Sequence, residues 1–65
     1  MRLTAPRATL YEFATKAHAD LVASGHPEFG EDTALAICDT AGDALYDAGF
    51  DFDRGALCAV AESLA

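Results

Sequence analysis

The segment from Asp32 to Gly49 carries a two-sided helical pattern that constrains the fold of the whole chain. Apolar side chains recur along it at intervals of three and four residues, the spacing that places them on one side of an α-helix. This side comprises Ile37, Ala41, Ala44, Leu45 and Ala48. The segment therefore predicts a helix over residues 32–48 that buries one side against other helices.

Aspartates follow the opposite side of this predicted helix. Asp39, Asp43 and Asp47 stand four residues apart, Asp32 lies two turns earlier on the same side, and Asp51 follows the helix end. Aspartate is a mediocre helix former, and like charges four residues apart destabilise a helix by about 0.2–0.5 kcal/mol per pair. The row is either an ordinary solvated surface of an acidic protein or a docking site for a basic partner.

A first helix is predicted over residues 5–24, before the break at Gly25, His26 and Pro27. Thr4 is its expected N-cap, and a glycine followed within two residues by proline is a typical helix C-terminus. His26 is expected to help cap this end. Its buried stripe is predicted to comprise Leu10, Phe13, Ala14, Ala17 and Leu21.

A third helix is predicted over residues 54–64, with Asp53 as its N-cap. Phe52 and Leu57 have the spacing of a hydrophobic staple around that cap. Its buried stripe is predicted to comprise Leu57, Val60, Ala61 and Leu64.

Gly49 should end the second helix, with Phe50 packed against Leu45, and Phe29 is expected to fold back onto the core. The chain is therefore predicted to be all-α, a compact three-helix bundle forming one domain over residues 1–65.

The net charge of −7 is unevenly distributed. Residues 1–16 sum to +2 and residues 17–65 to −9. Such a chain is repelled by nucleic acids and anionic membranes and attracted to basic protein surfaces. No signal peptide and no membrane-spanning apolar run is recognisable, and two cysteines in a helical chain indicate a reducing compartment. These features predict a cytoplasmic protein.

Other classes of site fit the sequence poorly. His18, His26, Cys38 and Cys58 do not have the spacing of a compact zinc site, and the cysteines are expected to be buried free thiols. Asp51, Asp53 and Glu62 match positions 1, 3 and 12 of a calcium loop that lacks its glycine.

Catalytic and DNA-reading motifs are also missing. A helix-turn-helix reader would need basic residues where only Arg54 is available. No nucleophile elbow or phosphate-binding glycine loop is present, nor the Asp-Ser-Leu site of acyl carrier proteins. The sequence thus predicts no catalytic residue, no metal and no cofactor.

In size, acidity and lack of catalytic motifs, the chain resembles the small acidic anti-CRISPR proteins of phages, in particular inhibitors of type I systems that mimic DNA. The resemblance implies a non-enzymatic inhibitor in the host cytoplasm that occupies a basic nucleic-acid-binding groove of a CRISPR–Cas effector subunit. The chain itself is expected to be a monomer or weak homodimer. The expected partner-binding residues are Asp32, Asp39, Asp43, Asp47, Asp51 and Asp53. Consecutive carboxylates of the row would stand about 6 Å apart, comparable to phosphates along a DNA strand.

A second hypothesis belongs to a different class. The chain would be a small structural or assembly domain, such as a phage accessory protein or an antitoxin-like module. It would bind a partner or a second copy through apolar residues of its helices. The residues expected at that interface are Tyr11, Tyr46 and Phe50.

Overall fold

Three helices form where the apolar periodicity predicts them. The computed structural model describes residues 2–26, 28 and 30–65. Helix α1 spans Arg7–Ala23, α2 spans Glu31–Asp47 and α3 spans Arg54–Leu64, and each helix packs on the other two. The radius of gyration of 10.9 Å agrees with the ~11 Å expected for a compact domain of this length. The predicted all-α three-helix bundle is confirmed.

A short parallel strand pair ties the start of the chain to the α2–α3 connection. Strand β1 (Leu3–Thr4) pairs with β2 (Phe50–Asp51), with Leu3 opposite Phe50. The Ala5 N–H extends the ladder by donating to the Asp51 carbonyl oxygen at 2.7 Å. The prediction that Thr4 caps α1 is therefore wrong, because Thr4 lies in β1 and α1 begins only at Arg7.

Helix α1 instead begins after Pro6. This residue has an extended backbone and makes no side-chain cap. Proline suits this boundary because it has no N–H to leave unpaired. At the other end, α1 closes in a Schellman motif. The His26 N–H donates to the Leu21 carbonyl and the Gly25 N–H to the Val22 carbonyl, both at 3.0 Å. The predicted C-cap is thus confirmed, with Gly25 at φ +89°.

The ends of the other two helices also follow the sequence signals. Gly49, at φ +89°, terminates α2. The Asp53 carboxylate accepts the Gly55 N–H at 3.1 Å, which confirms the predicted N-cap of α3. Phe50 lies in β2, and its ring packs edge-on against Phe13 with the centroids 6.0 Å apart. The observed helices match the predicted bounds within two residues.

The buried side of α2 is turned further toward α3 than the periodicity predicts. Ile37, Ala41 and Leu45 are fully buried as expected, but Ala44 and Ala48 are exposed, so their predicted burial is wrong. Cys38, which was expected to be a buried thiol, and Gly42 complete the buried side, since α3 packs on their side of α2. A Cβ built on Gly42 would lie 3.3 Å from Phe52 and 3.7 Å from Leu57. The absence of a side chain at Gly42 therefore lets the two residues of the predicted staple pack against α2.

The stripes of the other helices are confirmed. On α1, Leu10, Ala14 and Ala17 are buried while Phe13 and Leu21 pack at the edge of the core. On α3, Leu57, Val60 and Ala61 are buried and Leu64 is half-buried. The predicted placement of Phe29 lies outside the described residues, as does Pro27. No helix in the described ranges has the length and apolarity needed to cross a membrane.

Candidate functional site

The four aspartates of α2 share one exposed side of an uninterrupted helix. At about 100° per residue, they fall within roughly 80° of one another around the helix axis, opposite the buried side. All four are exposed, as are Asp51 in β2 and Asp53 before α3. The four aspartates of α2 are Asp32, Asp39, Asp43 and Asp47. We call these four residues the acidic face of α2.

One member of the acidic face is paired with an arginine of α3. The Arg54 Nη2 donates to the Asp39 Oδ1 at 2.5 Å, and this hydrogen bond raises the pKa of Arg54 above its usual value. Both side chains remain about two-thirds exposed, at 62% and 65%. An ion pair this exposed contributes about 1 kcal/mol or less, so a basic partner can compete with Arg54 for Asp39.

Asp51 pairs with Arg2, which also contacts Tyr46 and Phe50. Arg2 Nε donates to Asp51 Oδ1 at 2.9 Å, while its Nη2 donates to the carbonyl oxygens of Tyr46 and Phe50 at 2.8 Å each. The guanidinium also stacks on the Tyr46 ring, 4.2 Å from the centroid. Asp51 is therefore part of the contacts that fasten the N-terminal segment, which we call the Arg2 clasp.

The six predicted docking residues thus divide into two groups. Asp39 and Asp51 pair with arginines, and Asp53 caps α3. Within the described part of the chain, Asp32, Asp43 and Asp47 have no side-chain hydrogen bond or ion pair. Asp47 is the last residue of α2, where the helix dipole disfavours an anion and the last turn contributes no basic side chain of its own. The carboxylates open to a partner are consequently Asp43 and Asp47 near one end of α2 and Asp32 near the other.

The aromatic residues of the alternative hypothesis are not equally exposed. Tyr11 and Phe50 pack against the core, and the Tyr11 hydroxyl lies 3.2 Å from Ser63 Oγ. That hydrogen bond and the nearby Arg7 lower the pKa of Tyr11. Tyr46 is 67% exposed, and sequence reasoning missed Leu35 at 59% and Leu3 at 69%. The signal for Leu35 was its position off the apolar stripe of α2.

The histidines and cysteines that the sequence offers as metal ligands make other contacts. Among the described residues, no group of three or more His, Cys, Asp or Glu side chains is arranged to hold a metal ion. His18 Nε2 lies 3.1 Å from the Glu28 carbonyl oxygen and anchors the α1–α2 connection. Cys38 is a buried free thiol as predicted, whereas Cys58 is only half-buried, and their sulfur atoms lie 2.7 Å apart.

Arg2 makes side-chain contacts that the sequence did not indicate. It stands in a leader too short to show a helical or strand pattern, and its partners lie 44–49 residues away.

No family model matches the chain, and neither curated proteins nor solved structures give a significant match.

Proposed function

We propose that this chain is a non-enzymatic inhibitor that docks the acidic face of α2 into a basic groove of a nucleic-acid-binding protein. The supporting observation is that Asp43 and Asp47 are exposed, one turn apart, and unpaired within the described residues. A helix holds their carboxylates about 6 Å apart along its axis without further ordering. A groove that exchanges counterions for phosphates can do the same for these carboxylates.

The arginine pairs modify this proposal without opposing it. Releasing Asp39 from Arg54 requires breaking an exposed pair that contributes about 1 kcal/mol or less. The partner's own basic side chains replace that pair, so Asp39 extends the docking row to three consecutive turns. Asp51 pairs with Arg2, and Asp53 caps α3. We therefore assign these two residues a smaller part in binding than the four aspartates of the acidic face.

For the partner we propose a CRISPR–Cas effector of type I, with the phage-encoded inhibitor acting in the host cytoplasm. The support is the combination of small size, net charge of −7 and a single-signed helix surface. An occupied groove would exclude target DNA, because both ligands need the same basic side chains.

The test is competition between this chain and a fluorescent target duplex for a purified type I effector complex. We expect the wild-type protein to displace the duplex, and the double variant Asp43→Asn, Asp47→Asn to be weaker by about tenfold. Each exposed charge contact is worth roughly 0.5–1 kcal/mol, so two together approach the 1.4 kcal/mol of a tenfold change. Direct binding of the wild-type protein to the effector, measured without the duplex because salt also weakens duplex binding, should weaken as salt rises from about 0.1 M to about 1 M, over which the Debye length falls from about 10 Å to about 3 Å.

The matched control is the double variant Glu12→Gln, Asp20→Asn, which changes the net charge equally on the exposed surface of α1. It should displace the duplex as well as the wild type does. Equal loss in both double variants would show that only net charge matters. Undiminished binding by the Asp43, Asp47 variant would refute docking through the acidic face.

A second candidate function is an assembly domain that associates through exposed apolar residues. Leu35 and Tyr46 support it, since they are 59% and 67% exposed on neighbouring positions around α2. Sedimentation at about 1 M salt separates the two functions, because apolar association survives the screening that weakens ion pairs. In that case the double variant Leu35→Ser, Tyr46→Ser should lose association, while Ala44→Ser on exposed α2 surface should retain it.

A further inference from the structure

The two cysteines face each other across the α2–α3 interface. Cys38 Sγ and Cys58 Sγ lie 2.7 Å apart, closer than two unbonded sulfur atoms ordinarily approach. A disulfide needs about 2.05 Å between them, so a movement of about 0.7 Å would join them. Both are free thiols, separated by 20 residues along the chain.

The surroundings give the two thiols different access to solvent. Cys38 is 1% exposed, whereas Cys58 is half-buried and lines an open groove of about 550 Å³. Leu35 and Ala65 supply apolar surface in this groove, and Glu31 and Glu62 lie at it as well. A small reagent can therefore reach Cys58 directly from solvent. It reaches the buried Cys38 only by way of Cys58.

We propose that Cys38 and Cys58 are a reversible redox site, which a small disulfide such as oxidised glutathione converts to an intramolecular cross-link between α2 and α3. This inference does not depend on the proposed inhibitory function, since it rests on the thiol pair alone. It assigns the groove a ligand class, small disulfides and thiols, that acts on the protein covalently.

The exchange proceeds in two balanced steps. The Cys58 thiolate attacks one sulfur of the small disulfide, whose S–S bond breaks and releases one thiolate. Cys38 then loses its proton to water and attacks Cys58 Sγ, which forms the protein disulfide and expels the second small thiolate. The two protein thiols are oxidised by two electrons with loss of two protons, and the small disulfide is reduced to two thiols.

The electrostatics agree with this order of attack. Burial, followed by the hydrogen bond with Cys58, raises the pKa of Cys38 to about 11. Cys38 therefore remains a thiol near neutral pH and is a poor first nucleophile. As the second attacking sulfur, Cys38 needs no access to solvent, because the sulfur that it attacks is Cys58 Sγ, which it already contacts.

The cross-link would constrain the unfolded chain by closing a loop of about twenty residues. Such loops stabilise small domains through lost entropy of the unfolded state, which corresponds to a rise in Tm on the order of 10 °C. Reduction by excess small thiol would reverse the change.

The experiment titrates reduced protein with glutathione buffers of increasing oxidised fraction and follows intact mass and Tm. We expect a monomer lighter by two hydrogen atoms, with a raised Tm that dithiothreitol reverses. Monomer that stays at the reduced mass in fully oxidised glutathione would overturn the proposal. So would covalent dimers, or stable glutathione adducts, as the main product.

Single-cysteine variants test the order of attack. Cys38→Ala leaves the groove thiol without its neighbour, so it should accumulate the mixed disulfide with glutathione. Cys58→Ser leaves only the buried thiol and should gain adduct far more slowly. Equal rates of adduct formation in the two variants would contradict the assignment of Cys58 as the entry point. The wild-type titration remains decisive if either variant fails to fold.

Discussion

Arg2 joins the N-terminal segment to α2 and to β2 through one side chain. It donates to the last turn of α2, to β2 and to the Asp51 carboxylate, and it covers the Tyr46 ring. Its positive charge also lies at the C-terminal end of α2, where a cation is favoured by the helix dipole. Its contribution rests on several hydrogen bonds with fixed directions, so it should depend on the planar shape of the guanidinium.

Arg2→Ala should lower the free energy of unfolding by about 1–2 kcal/mol, because hydrogen bonds from a charged group are lost at a half-exposed position. Arg2→Lys should recover less than half of the loss, since lysine lacks the planar fork. Urea denaturation measures both. Arg7→Ala is the control, because Arg7 is exposed and lies 5.8 Å from the Tyr11 ring, and it should change stability by less than about 0.5 kcal/mol. Equal effects of Arg2→Ala and Arg7→Ala would contradict the clasp.

Cys38 should make stability depend on alkaline pH. Burial raises its pKa from 9.0 to about 11 in the folded protein, so between those values the unfolded chain releases a proton that the folded chain keeps. Stability therefore falls as pH rises through this interval, by up to about 2–3 kcal/mol. The measurement compares wild type with Cys38→Ala under reducing conditions at pH values from about 8 to about 11. A constant difference between the two proteins across that range would contradict the shift.

At the scale of elements, α3 depends on the capping of its first turn. The helix has only 11 residues, which is below the length at which isolated helices persist in water. It therefore forms through packing on α1 and α2, and the Asp53 cap fixes where it begins.

Asp53→Ala should reduce the free energy of unfolding by about 1 kcal/mol, because the Gly55 N–H loses its acceptor. Asp53→Asn should remain close to wild type, since an amide oxygen also caps a helix. Thermal and urea unfolding of the two variants provide the measurement. A loss in Asp53→Asn as large as in Asp53→Ala would indicate that charge, rather than the cap, is responsible.

At the scale of the whole molecule, a few large side chains hold the three helices together. Among the residues that the structure describes, alanine supplies 6 of the 12 buried apolar side chains, and it buries little area. Ile37, Leu45, Leu57 and Val60 are the largest fully buried apolar side chains. A domain of this length has roughly 3–10 kcal/mol of stability, so each of these side chains carries a considerable share.

Leu45→Ala should cost about 2–5 kcal/mol by leaving a cavity at the centre of the bundle, a large part of the total. We expect a Tm lowered by well over about 10 °C, or a chain unfolded at room temperature. Circular dichroism during heating measures this. Leu35→Ala, on the exposed side of the same helix, should shift Tm by no more than a few degrees. A small effect at Leu45 would contradict the central packing.

Much of this molecule follows from local patterns in its sequence. The three helices, the glycine ends at Gly25 and Gly49 and the Asp53 cap depend on neighbours within five residues, so reading the chain segment by segment finds them. The exposure of the aspartates is equally local, because a helix with one apolar side must present its charges on the other.

Only the tertiary structure determines which residues of these elements contact one another. Only the packed bundle shows that α3 turns the buried side of α2 toward Cys38 and Gly42, leaving Ala44 exposed. It alone brings Arg54 to Asp39, Arg2 to Asp51 and the two cysteine sulfurs together. These pairs lie 15–49 residues apart, and their meeting depends on how the helices are rotated about their axes. Helical periodicity identifies the side of a helix that is buried, whereas the partner on that side is chosen by the packing of the whole chain.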